Sequence, residues 1–366
     1  MKTIKKLLSN DAVFVAIVSS VLSLLVGALI ILLLGKNPLT AYVNLLQGSG
    51  LLPKGKYGGG QSMLTDFVSF VDAWTPMIFA ALSFAVAMKA GLFNIGISGQ
   101  MLAAGFISTV FIGYSGLNAF AAKPLVILTG MVVGSLAGAC IGWLKYRFNI
   151  NEVVSSIMIN YIFVFVISFF INTRYLNPVS RRSREVSAAS RLTLHQFEIG
   201  GYRYDIPLGF GLALLAAVAV GFLFNRTVLG YEIKAVGLNR VSAEYSGINS
   251  KRTIFVAMAL SGALAGLSGV TYYLGHYASI GPRILPQTGF NSIAVSILGN
   301  NAPLGILFSS FFIEIIGKGS AYMSSRSGLD TEIASIITAL ILLSSACSAY
   351  YLSLRESFRS RRKADG

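Results

Sequence analysis

The chain has 366 residues, of which 54% are apolar and only 12% charged, with a mean hydropathy of +0.70. That charge fraction is about half of what a soluble domain carries, and several windows exceed the roughly 18 uncharged residues that mark a spanning helix. A polytopic membrane protein is indicated and a sizeable soluble domain is excluded. The net charge of +15 is dispersed among loops that flank apolar runs. This fits anionic lipid and a positive-inside bias better than nucleic acid.

Met1–Asn10 carries Lys2, Lys5 and Lys6, and Ala12–Leu34 follows without a charge. The run is longer than the core of a cleaved signal peptide, so it predicts a retained first span with a cytoplasmic amino end. Residues 36–74 then read as an outer loop. Within it, Met63–Trp74 has helical apolar spacing and predicts a helix lying on the outer surface, with Trp74 at the headgroup level. Thr75–Ser115 has room for two spans separated by Gly91–Gln100, whose glycines, Asn and Gln oppose an uninterrupted helix. That break reads either as a cytoplasmic turn or as a broken helix lining a pathway.

Pro124–Leu144 predicts a span whose Gly130, Gly134 and Gly138 form a face for close helix approach. Asn151–Ile171 predicts the next span, with Asn160 inside it. Residues 173–206, rich in arginine (Arg181, Arg182, Arg184, Arg191, Arg203), are assigned to the outside. Pro207–Phe224 and Thr253–Leu274 are further spans, the second with Gly262, Gly266 and Gly269 for close packing. Between them lies a polar segment, residues 225–252. Its core, Leu229–Arg252, reads as two short helices ended by Gly237 and Gly247, a cytoplasmic knob able to dock into a soluble motor.

Pro286–Gly317 predicts two short segments broken near Gly299–Pro303. Glu314 is a costly acid for a membrane segment, and Lys318 four residues later suggests an ion pair near the surface. Glu332–Tyr351 is the last span, and Arg355, Arg359, Arg361, Arg362 and Lys363 hold the carboxyl end inside. The expected architecture is an all-α polytopic membrane protein of about ten transmembrane segments, some short or broken, with both termini cytoplasmic. It forms one transmembrane domain, residues 1–366. GLFNIG at Gly91 and GFNSIA at Gly289 hint at internal pseudo-symmetry.

Absences narrow the chemistry. There is no GxxxxGK[ST] phosphate loop, so the chain does not hydrolyse ATP by that route. Cys140 and Cys347 lie in apolar runs and read as buried small hydrophobes. His195 and His276 stand in predicted outer loops without a cluster of metal-ligating neighbours, so no metal site is expected. No catalytic grouping is present. What remains inside the membrane is neutral polarity, at Asn94, Ser98, Gln100, Asn160, Asn291, Ser292 and Ser296. Such groups either bond a polar uncharged solute in passage or tie helices together.

AGLFNIGISGQM, NEVVSSIMINYI, AVGLNRVSAEYSGI followed by ALSGALAGLSG, and GFNSIAVSILGNNAPLG together resemble one group of ABC importer permeases. The group includes ribose-type sugar and branched-chain amino acid permeases. The match runs in order from about Thr75 to Gly305, and is closest to the larger permease of bacterial nucleoside importers served by a basic-membrane-protein-like lipoprotein. Ser98 stands where the family's first motif more often carries an acid.

The resemblance implies a multi-pass protein of the bacterial cell membrane that translocates nucleosides. It implies three partners: a second, shorter permease forming a heterodimer, an ABC ATPase, and an extracytoplasmic substrate-binding lipoprotein. No cofactor is expected on this chain, ATP and magnesium belonging to the ATPase. It also implies that the ATPase-coupling helix lies in Ala235–Ile248. We take Ala235, Gly237, Asn239, Ala243, Glu244 and Gly247 as its residues. Phe93, Asn94, Gln100, Asn160, Asn291 and Ser292 are the candidate translocation pathway. The rival readings are the same permease carrying a sugar or a branched-chain amino acid, and a secondary transporter acting alone.

Overall fold

The computed structural model describes residues 11–58, 61–199, 202–347, 350, 351 and 353. The basic residues of Met1–Asn10 and those from Arg355 to Lys363 lie outside the described residues. In lipid, backbone polar groups must be satisfied within the segment, and the charge-free runs accordingly form helices. In chain order these are α1 (Asp11–Leu33), α2 (Pro38–Gly48), α3 (Met63–Lys89), α4 (Ile97–Ser108) and α5 (Ala119–Phe148). Next come α6 (Glu152–Phe170), the strands β1 (Thr193–Ile199) and β2 (Tyr202–Pro207), and α7 (Leu208–Arg226). There follow α8 (Val228–Leu238), α9 (Arg240–Tyr245), α10 (Ser250–Thr271), α11 (Gln287–Leu298), α12 (Pro303–Ser327) and α13 (Glu332–Ala346). Single π turns extend α4 to Gly113, α6 to Tyr175 and α10 to His276.

Among the described residues, six helices are long and apolar enough to cross a membrane: α3, α5, α6, α7, α10 and α12. The pair α1–α2, bent by 116°, makes a seventh if counted as one span. The expected ten included short and broken segments beyond these. The remaining apolar stretches are short helices: α11 has 12 residues, which at 1.5 Å per residue reaches about 18 Å, well below the roughly 30 Å of a bilayer core. The all-α expectation is also amended, because β1 and β2 form an antiparallel hairpin with Thr193 opposite Pro207 and Ile199 opposite Tyr202.

The surface helix expected at Met63–Trp74 is a second correction. α2 packs on α12, burying Ala41 and Leu45, and Met63–Trp74 is the first part of α3 rather than a surface helix. Trp74 is enclosed by Phe70, Phe210 and Phe311, and its indole Nε1 donates to Ser310 Oγ at 2.8 Å. A half-buried indole needs such a partner, and Ser310 on α12 supplies it.

α3 and α10 are the most enclosed spans. α5 crosses α10 through the glycine faces seen in the sequence. A methyl on Gly134 would lie 2.7 Å from the Gly266 Cα, and one on Gly138 would lie 2.9 Å from the Gly262 Cα. The two backbones are therefore in direct contact, the packing that replaces hydrophobic drive between helices in lipid. Serines tie α3 to α10: Ser83 Oγ donates to Ser261 O at 2.7 Å, and Ser268 Oγ donates to Pro76 O at 2.6 Å.

The arginine-rich stretch is a folded cap over one end of the bundle. Val186 N donates to Ala278 O, Leu192 N to Leu274 O, and Arg191 Nη2 to Gly275 O at 3.1 Å. The cysteines differ from expectation: Cys140 and Cys347 are both exposed on the outer face of the chain.

Candidate functional site

The functional features lie at opposite ends of α3 and α10. At one end, α8 and α9 form the knob. Thr227 caps α8, its Oγ1 accepting from Gly230 N at 3.0 Å, and Asn239 caps α9, its Oδ1 accepting from Ser242 N at 3.1 Å. Asn239 has extended backbone angles and is the break between the two helices. The expected hinge at Gly237 is corrected, because Gly237 lies inside α8 and serves close approach. A methyl there would sit 2.9 Å from Gly91 N and against the Lys89 carbonyl, so the knob rests directly on the end of α3. Gly247 does end α9, with φ of +82°, in the region that favours glycine.

Ala243 is buried and anchors α9, while Ala235 is half-buried on α8. Glu244 pairs with Arg240 Nε at 3.2 Å on the exposed side. The knob also presents apolar side chains: Leu238, Val241 and Tyr245 are 88%, 61% and 90% exposed. Apolar side chains clustered on a projecting polar segment mark a surface that meets another protein.

The Gly91 break begins against this knob and turns back into the bundle. Asn94 is fully buried, its Nδ2 donating to Ser261 Oγ at 2.9 Å, and it pairs with Gln100 at 3.3 Å. Asn160 Oδ1 accepts from Gly99 N at 2.8 Å and its Nδ2 donates to Ile95 O at 3.0 Å. These amides satisfy the irregular backbone of the break, as that depth requires. Phe93 packs edge-on against Phe84, and Ser292 Oγ donates to Gly289 O at 2.6 Å. Ser98 Oγ donates to Pro286 O at 3.0 Å, which fastens the start of α4 to the start of α11. The structure thus gathers Asn94, Gln100 and Asn160 into one buried network, apart from Asn291.

Asn291 lies on a cavity of ≈ 600 Å³ between α3, α10, α11, α12 and α13. Its walls include Tyr272, His276, Tyr277, Gln287 and Glu314. From Ser250 at the knob to Tyr272 at the cavity, α10 covers about 33 Å, so the cavity occupies the end opposite the knob. His276 Nδ1 sits 2.9 Å from Asp72 Oδ2, joining the end of α10 to α3. The Arg182 guanidinium lies over the Tyr277 ring at 5.6 Å, so the cap reaches the cavity mouth. Glu314 faces the cavity and does not close the expected pair with Lys318. Sequence spacing had set His276 and Glu314 aside. An acid inside an apolar run was the one available signal for the cavity.

Among the described residues no group of three or more His, Cys, Asp or Glu is placed to hold a metal ion. The cavity offers aromatic faces and hydrogen-bonding groups, which suits binding of a polar solute.

Comparison with known proteins bears on the same residues. Residues 68–346 match the family described as branched-chain amino acid transport system / permease component. The chain is 34% identical to the nucleoside ABC transporter permease protein NupB of Lactococcus lactis subsp. cremoris, over 90% of this chain and 89% of that one. It is 32% identical to the guanosine ABC transporter permease protein NupP of Bacillus subtilis, over 91% and 93%. The glucose ABC transporter permease protein TsgB13 of Haloferax volcanii is 26% identical over 79% and 78%.

Proposed function

The chain belongs to this permease family and is a multi-pass, non-catalytic membrane component of an ABC importer, and from that premise we propose that its cargo is a nucleoside. The cavity carries the reading. A volume of ≈ 600 Å³ accommodates a nucleoside with water to spare, Tyr272 and Phe290 offer faces for a base, and Gln287 and Asn291 offer amides for ribose hydroxyls. The relatives named for nucleosides and guanosine support the same choice.

In the proposed cycle a substrate-binding lipoprotein delivers the nucleoside to the capped end of the bundle. A partner ATPase, holding ATP and magnesium, receives the α8–α9 knob, with Leu238, Val241 and Tyr245 in its cleft. A second, shorter permease completes the pathway. Closure of the ATPase pushes the knob against the end of α3 and the start of α10. Because α10 is locked to α5 by backbone contact and to α3 by Ser83–Ser261 and Ser268–Pro76, the displacement travels along it to Tyr272–His276. The cavity then opens toward the cytoplasm.

The test is uptake by the complete importer in proteoliposomes, competed with unlabelled uridine, guanosine, ribose and leucine. Competition by nucleosides alone is expected. Competition by ribose or leucine alone overturns the nucleoside cargo and favours a sugar or amino acid permease. Uptake by this chain without ATP or partners overturns the coupling scheme.

A further inference from the structure

We propose that Glu314 is a specificity-determining residue of the cavity, accepting the paired N–H donors of a guanine-type base and so favouring 2-amino-6-oxopurine nucleosides over other nucleosides. This rests on the nucleoside reading above and narrows it. The starting point is the cost of the residue. A carboxylate in a membrane-spanning helix is expensive and is ordinarily paired or set against water. Glu314 stands within the span α12, on the cavity wall, and has no hydrogen bond or ion pair among the described residues. Lys318, one turn along, places a positive charge nearby without a direct bond.

Two other ionisable groups of the wall have partners. Glu332 accepts from Thr331 Oγ1 at 3.3 Å, and His276 is held by Asp72 at 2.9 Å. Glu314 is the carboxyl group on the wall without a partner among the described residues, open to a solute.

The edges of the bases decide which solute. A carboxylate only accepts hydrogen bonds, and its two oxygens pair best with two parallel N–H donors. Guanine presents such a pair in its N1–H and its 2-amino group. The N3–H of uracil is flanked by carbonyl oxygens on both sides. Adenine and cytosine set a ring-nitrogen acceptor beside their amino group. Each of these three would turn a lone pair toward a carboxylate oxygen. The aromatic walls stack on any base and do not discriminate among them, so the selection falls to Glu314.

The test uses the complete importer in proteoliposomes with its binding protein saturated. ATP-driven uptake of guanosine and adenosine is measured for the wild type and for Glu314→Gln. The Gln amide keeps the shape but exchanges one acceptor for a donor, which matches the adenine edge. The binding protein is common to both, so the change in the guanosine-to-adenosine ratio isolates this chain. Adenosine uptake serves as the control for folding and assembly. The ratio is expected to fall about tenfold or more, the value of one bidentate contact to a base, with adenosine uptake retained. An unchanged ratio, or an equal fall for both, overturns the role of Glu314 and leaves the nucleoside cargo standing. A wild-type importer that moves ribose or leucine but neither nucleoside overturns the cargo and this inference with it.

Discussion

Replacing Gly134 by Ala tests the contact on which transmission along α10 depends. The added methyl would press on the Gly262 carbonyl oxygen and lie 2.7 Å from both the Cα and the N of Gly266, where ordinary contact begins at 3.4 Å. The obstacle is backbone, so the helices must move apart by several tenths of an ångström along their whole crossing. Alanine gains about 1 kcal/mol of helix propensity over glycine, while overpacking of this kind costs about 1–3 kcal/mol and also loosens the neighbouring Gly130 and Gly138 contacts. The net expectation is a destabilisation of up to about 2 kcal/mol, and more for Gly134→Val. Gly211→Ala on α7 is the matched control, because a methyl there meets nothing within 4 Å. It should gain the propensity without the clash. The assay is thermal unfolding of the purified chain in detergent, with uptake by the reconstituted importer read in parallel. If Gly134→Ala is as stable as Gly211→Ala, the helices are not in backbone contact and the transmission argument fails.

Three further outcomes follow from the same geometry. Asn160→Leu leaves Gly99 N and Ile95 O buried without their partner. It should cost about 1–3 kcal/mol for each group in detergent unfolding. Gly247→Ala forces a side chain into a φ of +82° and should cost about 1 kcal/mol, visible as faster proteolysis of the α9–α10 junction. Glu244→Ala removes an exposed pair with Arg240, worth at most about 0.5 kcal/mol. The variant should therefore unfold like the wild type, and a loss of uptake beyond tenfold then locates the defect at the partner surface.

The sequence was most legible where one periodicity had one cause. Glycines four residues apart at Gly130, Gly134 and Gly138 have little use on a helix except to admit another helix, and α10 answers with Gly262 and Gly266. The short helices of the knob were legible for a similar reason, since polar residues between two long apolar runs leave few alternatives. Met63–Trp74 was misread because apolar spacing is the same on a surface helix and on the first turns of a buried one. What decides between them is Ser310, the partner of Trp74, 236 residues away in the chain. Full-length spans were not separable from short segments in the sequence, because a 12-residue helix such as α11 is apolar without being long enough to cross. The neutral amides remained ambiguous for a chemical reason. An amide that bonds a solute and one that bonds a backbone carbonyl look alike until their partners are seen. Asn94, Gln100 and Asn160 have theirs within the chain, while the cavity draws on Tyr272, His276 and Glu314 from separate helices.

The most direct measurement concerns which side of the membrane each end faces. In a background with Cys140 and Cys347 replaced, single cysteines at Ser246 on the knob and Thr331 beside the cavity are both exposed positions for a membrane-impermeant maleimide. In intact cells Thr331→Cys should label at once and Ser246→Cys only after permeabilisation. Labelling of Ser246→Cys from outside, or of both positions from the same side, contradicts a knob that receives work from a cytoplasmic ATPase and a cavity that receives cargo from the exterior.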